Sequence, residues 1–393
     1  MPWKEKTVMD SRMEFVRRVL AREKSKSALC REYGISRVTG DKWLKRYVAG
    51  ESLADLSRAP LSRPNRIPQA TEEHIIGMRT SMPVLGAKKI HQMMINEGKV
   101  EPPSISTINA VLKRNNLITK EASQAAQHYV RFEKDEPNDL WQLDFKGHFQ
   151  LQNNTRCHPL SVLDDKSCFC LNADAHENEQ FPGVKASLIK TFQKYGLPKT
   201  VLCDNGNPWG SSQSTSITRF EVWLMELGVL TTHIRSMRPQ TQGKVERFNG
   251  SYKREKLNFY IPQDMEDAQI CREEYRKFYN EVRPHEAIGM KCPAQVYTES
   301  DRKYNEEIEP WDYEAGGERR KIKSSGYLTF QGQGYYLSEG LGEKEVVLYP
   351  NPDKDGIYDI IFRQFIVAKL SLHDCTIHSR KIYLRYDDPR KKL

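Results

Sequence analysis

The sequence contains no CxxC pair, and of its eight cysteines only Cys168 and Cys170 stand close together. Zinc ligands usually come in longer, repeated spacings. Cys157, His158, Cys168 and Cys170 therefore read as alternating strand residues, and the thiols as reduced. No run of 18 apolar residues occurs, which excludes an apolar membrane-spanning helix. The opening MPWKEKTVMD lacks the apolar centre of a secretion signal. The expectation is a soluble cytoplasmic protein, nucleoid-associated if the source is prokaryotic.

A basic surplus is also missing from most of the chain, although the net charge is +9. Residues 1–66 hold 16 Lys and Arg against 8 Asp and Glu, and residues 67–120 hold 7 against 4. The remainder holds 38 against 40, so the positive charge belongs to the N-terminal part. Such a division suggests an anionic partner, nucleic acid first, read by the front of the chain. A length of 393 residues suggests three or four folded units.

What is present begins with helices. Residues 11–23 put Met13, Val16, Val19 and Leu20 on one helical face. Ser27 is a cap for a second helix ending at Gly34, and Ser36 for a third, with Val38, Trp43, Leu44 and Tyr47 available for packing. Helix, short turn, helix over residues 1–56 is a helix-turn-helix pattern, and Arg37, Thr39, Lys42, Lys45 and Arg46 are the residues free to face double-stranded DNA. Residues 57–70 are Pro- and Arg-rich and read as a linker. Residues 71–120 form a second helical unit, started at Thr71, broken at Pro83 and capped again at Ser104 or Ser106, with Lys88, Lys113 and Arg114 as its basic contacts. After a polar linker, 121–136, comes the pattern βββαβαβα over residues 137–298. A connector, 299–319, precedes short alternating strands at 320–375 that suggest a small β-barrel, and a tail, 376–393.

Three carboxylates stand out within that body. Asp144 interrupts the apolar run LWQLDF, Asp204 ends KTVLCD, and Glu246 sits in the basic, helix-competent QTQGKVERFN. A carboxylate in an apolar strand is costly unless a cation or donor meets it. Three that converge by folding would repel one another and call for hard divalent cations, Mg²⁺ or Mn²⁺; a pair of such ions suits in-line displacement at phosphorus. Asp164 and Asp165 read as a strand-end turn, and Asp174 and His176 as weaker neighbours of the site. The polar NPWGSSQSTS after Asp204 reads as a substrate-facing loop.

With LWQLDF, LCDNG and QTQGKVERF in place, the chain resembles the DDE transposases of the insertion-sequence type, whose catalytic core is like that of retroviral integrases. GIS followed by Trp43 and Arg46-Tyr47 is similar to their helix-turn-helix, while Leu85 departs from the aromatic residue usual before the glycine of the second reader. The resemblance implies a multidomain α+β protein with tandem helix-turn-helix domains and a ribonuclease-H-like α/β/α core. It implies two metal ions per active site held by Asp144, Asp204 and Glu246, which would make these the catalytic residues. Gln242, Lys244, Arg247 and Lys253 would then grip DNA near the scissile bond. It further implies end cleavage and strand transfer of a mobile element, terminal-repeat recognition, and a homo-oligomer, at least a dimer, on paired ends. A catalytically silent DNA-binding regulator derived from a transposase is the alternative.

Overall fold

The computed structural model describes residues 7–56, 67–98, 101–118, 134–210, 216–234, 243–378 and 382–385. Gln242, residues 57–66 of the first linker, residues 121–133 of the second and most of the tail lie outside the described residues. The chain divides into two compact units, residues 1–66 and 67–393. No described helix is long and apolar enough to cross a membrane.

The first unit holds α1 (Val8–Leu20), α2 (Lys26–Glu32) and α3 (Arg37–Val48) around Phe15, Val16, Leu29, Cys30, Trp43 and Leu53. Ser25, rather than Ser27, caps α2, and Ser36 caps α3 by accepting from the Thr39 amide. The inward line of α3 runs through Gly40 and Trp43. A Cβ at position 40 would lie 2.7 Å from the Cys30 sulfur, so only glycine lets α3 approach this closely. That choice of face turns Val38 outward, 80% exposed, against the packing role expected of it.

The second unit opens with α4 (Gln69–Ser81), α5 (Ala87–Glu97) and α6 (Ile105–Arg114), packed on Ile75, Ile90, Met94, Ile108, Val111 and Leu112. Phe278 from the following domain packs against this cluster, which seats the small bundle on the body.

The body is built on β1 (Leu140–Phe145), β2 (Phe149–Gln150), β3 (Arg156–Asp164), β4 (Cys170–His176), β5 (Thr200–Cys203) and β6 (Leu230–His233). The main strands run in the order β4-β3-β1-β5-β6, and β2 continues the line of β1 along the same edge of β3. The β3 strand is antiparallel to both neighbours, and β1, β5 and β6 are parallel. Helices α7 (Phe181–Tyr195) and α8 (Arg219–Glu226) cover one face through Trp141, Leu143, Val162, Phe192 and Trp223. Helices α9 (Gly243–Tyr252) and α10 (Met265–Lys277) cover the other through Leu163, Val245, Phe248 and Tyr275. This is the expected ribonuclease-H-like α/β/α core, with α10 added where the sequence reading placed no element. Both α9 and α10 end in π-helical turns, Lys253–Leu257 and Phe278–Val282, which are joined by a buried Glu255–Arg283 ion pair at 2.7 Å.

The C-terminal region corrects one expectation: no closed barrel forms among the described residues. Strands β7 (Glu318–Lys321), β10 (Glu345–Pro350), β11 (Ile357–Phe362), β12 (Phe365–Ser371) and β13 (Thr376–His378) make an open antiparallel sheet, with β14 (Tyr383–Leu384) also on β12. A separate hairpin joins β8 (Tyr327–Phe330) to β9 (Gln333–Tyr336). Alternation predicts which face of a strand is buried, but not whether the sheet's two ends meet. Here Ile217, Val222 and Met225 of the body complete the sheet's apolar core, so the sheet does not have to close on itself.

The joint is tight. Ser338 Oγ accepts from the Ile217 amide at 3.0 Å, and a Cβ at Gly340 would run into the Ile217 carbonyl. Gly340→Ala is therefore expected to lower stability by about 1–3 kcal/mol through overpacking. Denaturant unfolding checks this, and an unchanged midpoint would contradict the joint described.

Candidate active site

Asp144 lies near the end of β1, where pleating turns it to the α9 face together with Gln142, away from Trp141 and Leu143. Asn249 Nδ2, one turn beyond Glu246 on α9, donates to Asp144 Oδ2 at 3.0 Å. The Asn249 side chain is itself held by Ser161 Oγ, which donates to Asn249 Oδ1 at 2.8 Å and accepts from Arg272 Nη2 at 3.0 Å. A buried guanidinium on α10 is thus linked through two side chains to the first carboxylate.

Asp204 follows directly on β5, two residues beyond Leu202, which pairs with Gln142, so the same parallel register puts Asp204 level with Asp144. Its main chain is fixed by His233 at the end of β6: Nδ1 lies 3.0 Å from the Asp204 carbonyl oxygen and Nε2 lies 3.0 Å from Glu221 Oε1. The loop after Asp204 is only partly the polar, substrate-facing loop expected. Gly206 and Gly210 pair across a short bridge, and Trp209 is buried against Phe145 and Phe220. Residues 211–215 lie outside the described residues.

Burial raises the Asp144 carboxyl to about 7, assisted by the charges of Asp204 and Glu246 and opposed by the Asn249 donor. The Asp204 carboxyl is also raised, first by burial and then by Glu179, while His233 pulls it down. Glu246 is exposed on α9. The structure therefore brings the other two carboxylates within electrostatic reach of Asp144. It does not close them into a shared shell: among the described residues no three His, Cys, Asp or Glu side chains stand close enough to hold a metal ion. The donor set is nonetheless all oxygen, and two half-buried, mutually repelling carboxylates suit a hard divalent cation.

The basic residues fall into different groups. Arg247 and Lys253 are exposed on the Glu246 side of the site, as expected of phosphate contacts. Lys244 corrects that expectation. Its ammonium is 4% exposed, 3.1 Å from Asp165 Oδ2, and serves to fasten α9 to the sheet. Asp165 also accepts from Gln142 Nε2 at 2.7 Å, while Asp164 accepts from the amides of Asn138 and Ser167, the turn role read from the sequence. Asp174 and His176 are engaged with α7: Ser187 Oγ donates to Asp174 Oδ2 at 2.5 Å and lies 3.0 Å from His176 Nε2. Sequence reasoning missed Lys146, half-buried beside Asp144, whose pKa is lowered by burial first and then by the charges of Lys253 and Arg254. Its place two residues after Asp144 was the available signal.

In the first unit Arg37, Lys42 and Lys45 are exposed on α3. Thr39 shares a 2.8 Å hydrogen bond with Ser36. Arg46 is turned inward, bonding Glu51 at 3.2 Å and the Ala54 carbonyl at 3.1 Å, so it braces the unit instead of facing outward. In the α4–α6 bundle Lys88 and Lys113 are exposed, and Arg114 is paired with Glu72 at 2.7 Å.

Comparison with known proteins matches residues 134–239 and 227–293 to two integrase core domain models. Residues 11–60 match a helix-turn-helix domain and residues 39–112 a homeodomain-like domain. The insertion element IS476 uncharacterized 39.2 kDa protein of Xanthomonas euvesicatoria is 24% identical over 254 residues, 63% of this chain and 70% of that protein. The insertion element IS407 uncharacterized 31.7 kDa protein of Burkholderia multivorans is 24% identical over 257 residues, 62% of this chain and 87% of that protein. Among solved structures, the HTLV-2 integrase catalytic core domain in complex with magnesium aligns at TM-score 0.32 and 18% identity, over 41% of this chain and 97% of that one. A simian T-cell lymphotropic virus intasome with a PP2A regulatory subunit aligns at TM-score 0.34 and 18% identity, over 75% and 96%. Residues 134–293 thus carry an integrase core domain behind helix-turn-helix domains, and the chain is similar to proteins of insertion elements.

Proposed function

We propose that this protein is a transposase that cleaves the 3′ ends of its mobile element and joins them to target DNA by metal-dependent phosphoryl transfer, with Asp144, Asp204 and Glu246 as the catalytic carboxylates. The observation that supports this reading is the Asp144 carboxyl, pushed up to about 7 by burial beside two further carboxylates. Such an arrangement is unfavourable on its own and becomes favourable when a cation enters. Asp144, Asp204 and Glu246 would hold two Mg²⁺ or Mn²⁺ ions, which would neutralise charge on the attacking and leaving oxygens of a phosphodiester. Asn249 keeps one Asp144 oxygen oriented, Lys244 keeps the Glu246 helix against the sheet, and Lys146, Arg247 and Lys253 offer charge to the phosphates that flank the cut. No side chain has to act as a nucleophile, since positioning and charge supply the catalysis.

The two N-terminal readers would recognise the terminal repeats, and the active form would be a homo-oligomer, at least a dimer, because two ends must be joined while each chain has one set of carboxylates. The C-terminal sheet's packing on α8 argues for a structural role in each subunit, and a bridging role would have to use its outer face.

Replacing Asp144 or Asp204 by Asn, or Glu246 by Gln, is expected to abolish strand transfer of labelled element ends into a supercoiled target while end binding stays intact. An amide keeps the shape and loses the charge. Transfer close to the wild-type level in any of the three would refute its assignment.

The raised Asp144 value has a consequence for the metal-free protein. A carboxyl whose folded value lies above its unfolded one favours folding below about pH 4, and that contribution is lost as the pH rises to about 7. In EDTA, Asp144→Asn should therefore match wild type near pH 4 and exceed it above pH 7 by on the order of 1–3 kcal/mol. Added Mg²⁺ should stabilise wild type only. Urea unfolding across this range checks both statements, and a variant less stable at every pH would contradict them.

For DNA reading, Lys42→Ala or Lys45→Ala should weaken end binding and flatten its salt dependence, by about one counterion per residue. Arg46→Ala should chiefly lower the thermal stability of residues 1–66. A salt slope unchanged in both lysine variants would remove α3 from the interface.

A further inference from the structure

His233 and Glu221 sit behind Asp204 and take no part in the reaction proposed above. Both side chains are 7% exposed. The imidazole lies between two groups that only accept hydrogen bonds, the Asp204 carbonyl at Nδ1 and a Glu221 carboxylate oxygen at Nε2, each at 3.0 Å. Both ring nitrogens must then donate, so the ring is an imidazolium paired with a carboxylate.

Glu221 is fixed independently. Its Oε2 accepts from the Thr218 amide at 2.7 Å and from Thr218 Oγ1 at 3.0 Å, the capping box of α8. A Cβ on Gly210 would stand 2.9 Å from the same oxygen, so the far foot of the Asp204 loop rests on this carboxylate. Thr218 Oγ1 also lies 3.3 Å from the Trp209 carbonyl. The loop that bears Asp204 is thus held at its start by His233 and at its end by Glu221, and the two holders are bonded to each other.

We infer that His233, oriented by Glu221, is a positioning residue that sets where the Asp204 carboxylate meets a divalent cation. The inference rests on the proposed role of Asp204. β5 ends at Cys203, so Asp204 has no ladder partner of its own to fix its main chain, and the bond from His233 takes that place. Without it, the carbonyl would be left half-buried and unpaired, and the carboxylate would be free to swing with the loop. Partners of this kind behind a metal-binding carboxylate typically alter metal affinity by about 10–100-fold.

The test uses the full chain and Mn²⁺ as the probe, followed by electron paramagnetic resonance, with strand transfer measured in parallel at several Mn²⁺ concentrations. His233→Ala should bind Mn²⁺ about tenfold or more weakly, and raising the metal concentration should recover part of its activity. His233→Asn can still place an amide donor where Nδ1 stands, so it should regain most of the affinity that alanine loses. Thermal unfolding establishes that each variant is folded. Mn²⁺ affinity and transfer in folded His233→Ala within about threefold of wild type would overturn the inference, as would an asparagine variant no better than alanine. If Asp204→Asn itself binds Mn²⁺ like wild type, the assignment of Asp204 fails instead, and the result for His233 is read separately from it.

Discussion

The structure depends on how one helix is attached to the sheet. Helix α9 bears Glu246, yet its other contacts are what fix its place: Lys244 on Asp165, the Val245 amide on Gln142 Oε1 at 3.2 Å, and Asn249 on Asp144. All three partners belong to β1 or to the turn after β3. Charges and amides buried this deeply are expensive to leave unpaired, so α9 has one low-energy seat on the sheet, with little freedom to slide. The apolar residues Val245, Phe248 and Tyr252 give the seat its adhesion, while the polar bonds select its register.

The same logic extends outward. Arg272 of α10 reaches the Leu160 carbonyl at 2.7 Å and Ser161, so the second helix on that face is tied to the strand beside Asp144. Where α9 and α10 loosen into π-helical turns, Glu255 and Arg283 close the gap, and Tyr275 donates to Glu255 at 2.9 Å. Lys89 of α5 lies near this pair; burial and Arg283 lower its ammonium to about 8. The α4–α6 bundle is thus seated beside the π-helical turn that follows α9, next to the Glu255–Arg283 pair.

Much of this was legible in the sequence. Apolar alternation around Asp144, the strand end at Asp204 and the Gly-Lys-Val-Glu-Arg-Phe turn into α9 were enough to expect the core and its three carboxylates. The order of strands and helices followed from periodicity, and Gly34, Ser36 and Ser104 marked helix ends by their local chemistry. What was not legible depends on contacts distant in the chain. Lys244 looks like a surface cation because its partner lies 79 residues earlier. Arg46 looks free because Glu51 and Ala54 fold back over it only in three dimensions. His233 sits in a plain strand, and nothing local reveals that both its nitrogens find acceptors. The barrel was expected because alternation is silent about which neighbour will cover a sheet.

The anchoring of the loop after Asp204 has a further consequence. Trp209 is plugged into the core on one side of residues 211–215, and Ser216 and Ile217 are bonded to Ser338 on the other. Both feet of this stretch are fixed to separate parts of the body, so its length does not determine where Asp204 or Glu246 stands. The number of residues between Asp204 and Glu246 is then a poor ruler for their separation: chain could be added or removed between the two feet, and the distance between the two carboxylates would stay the same.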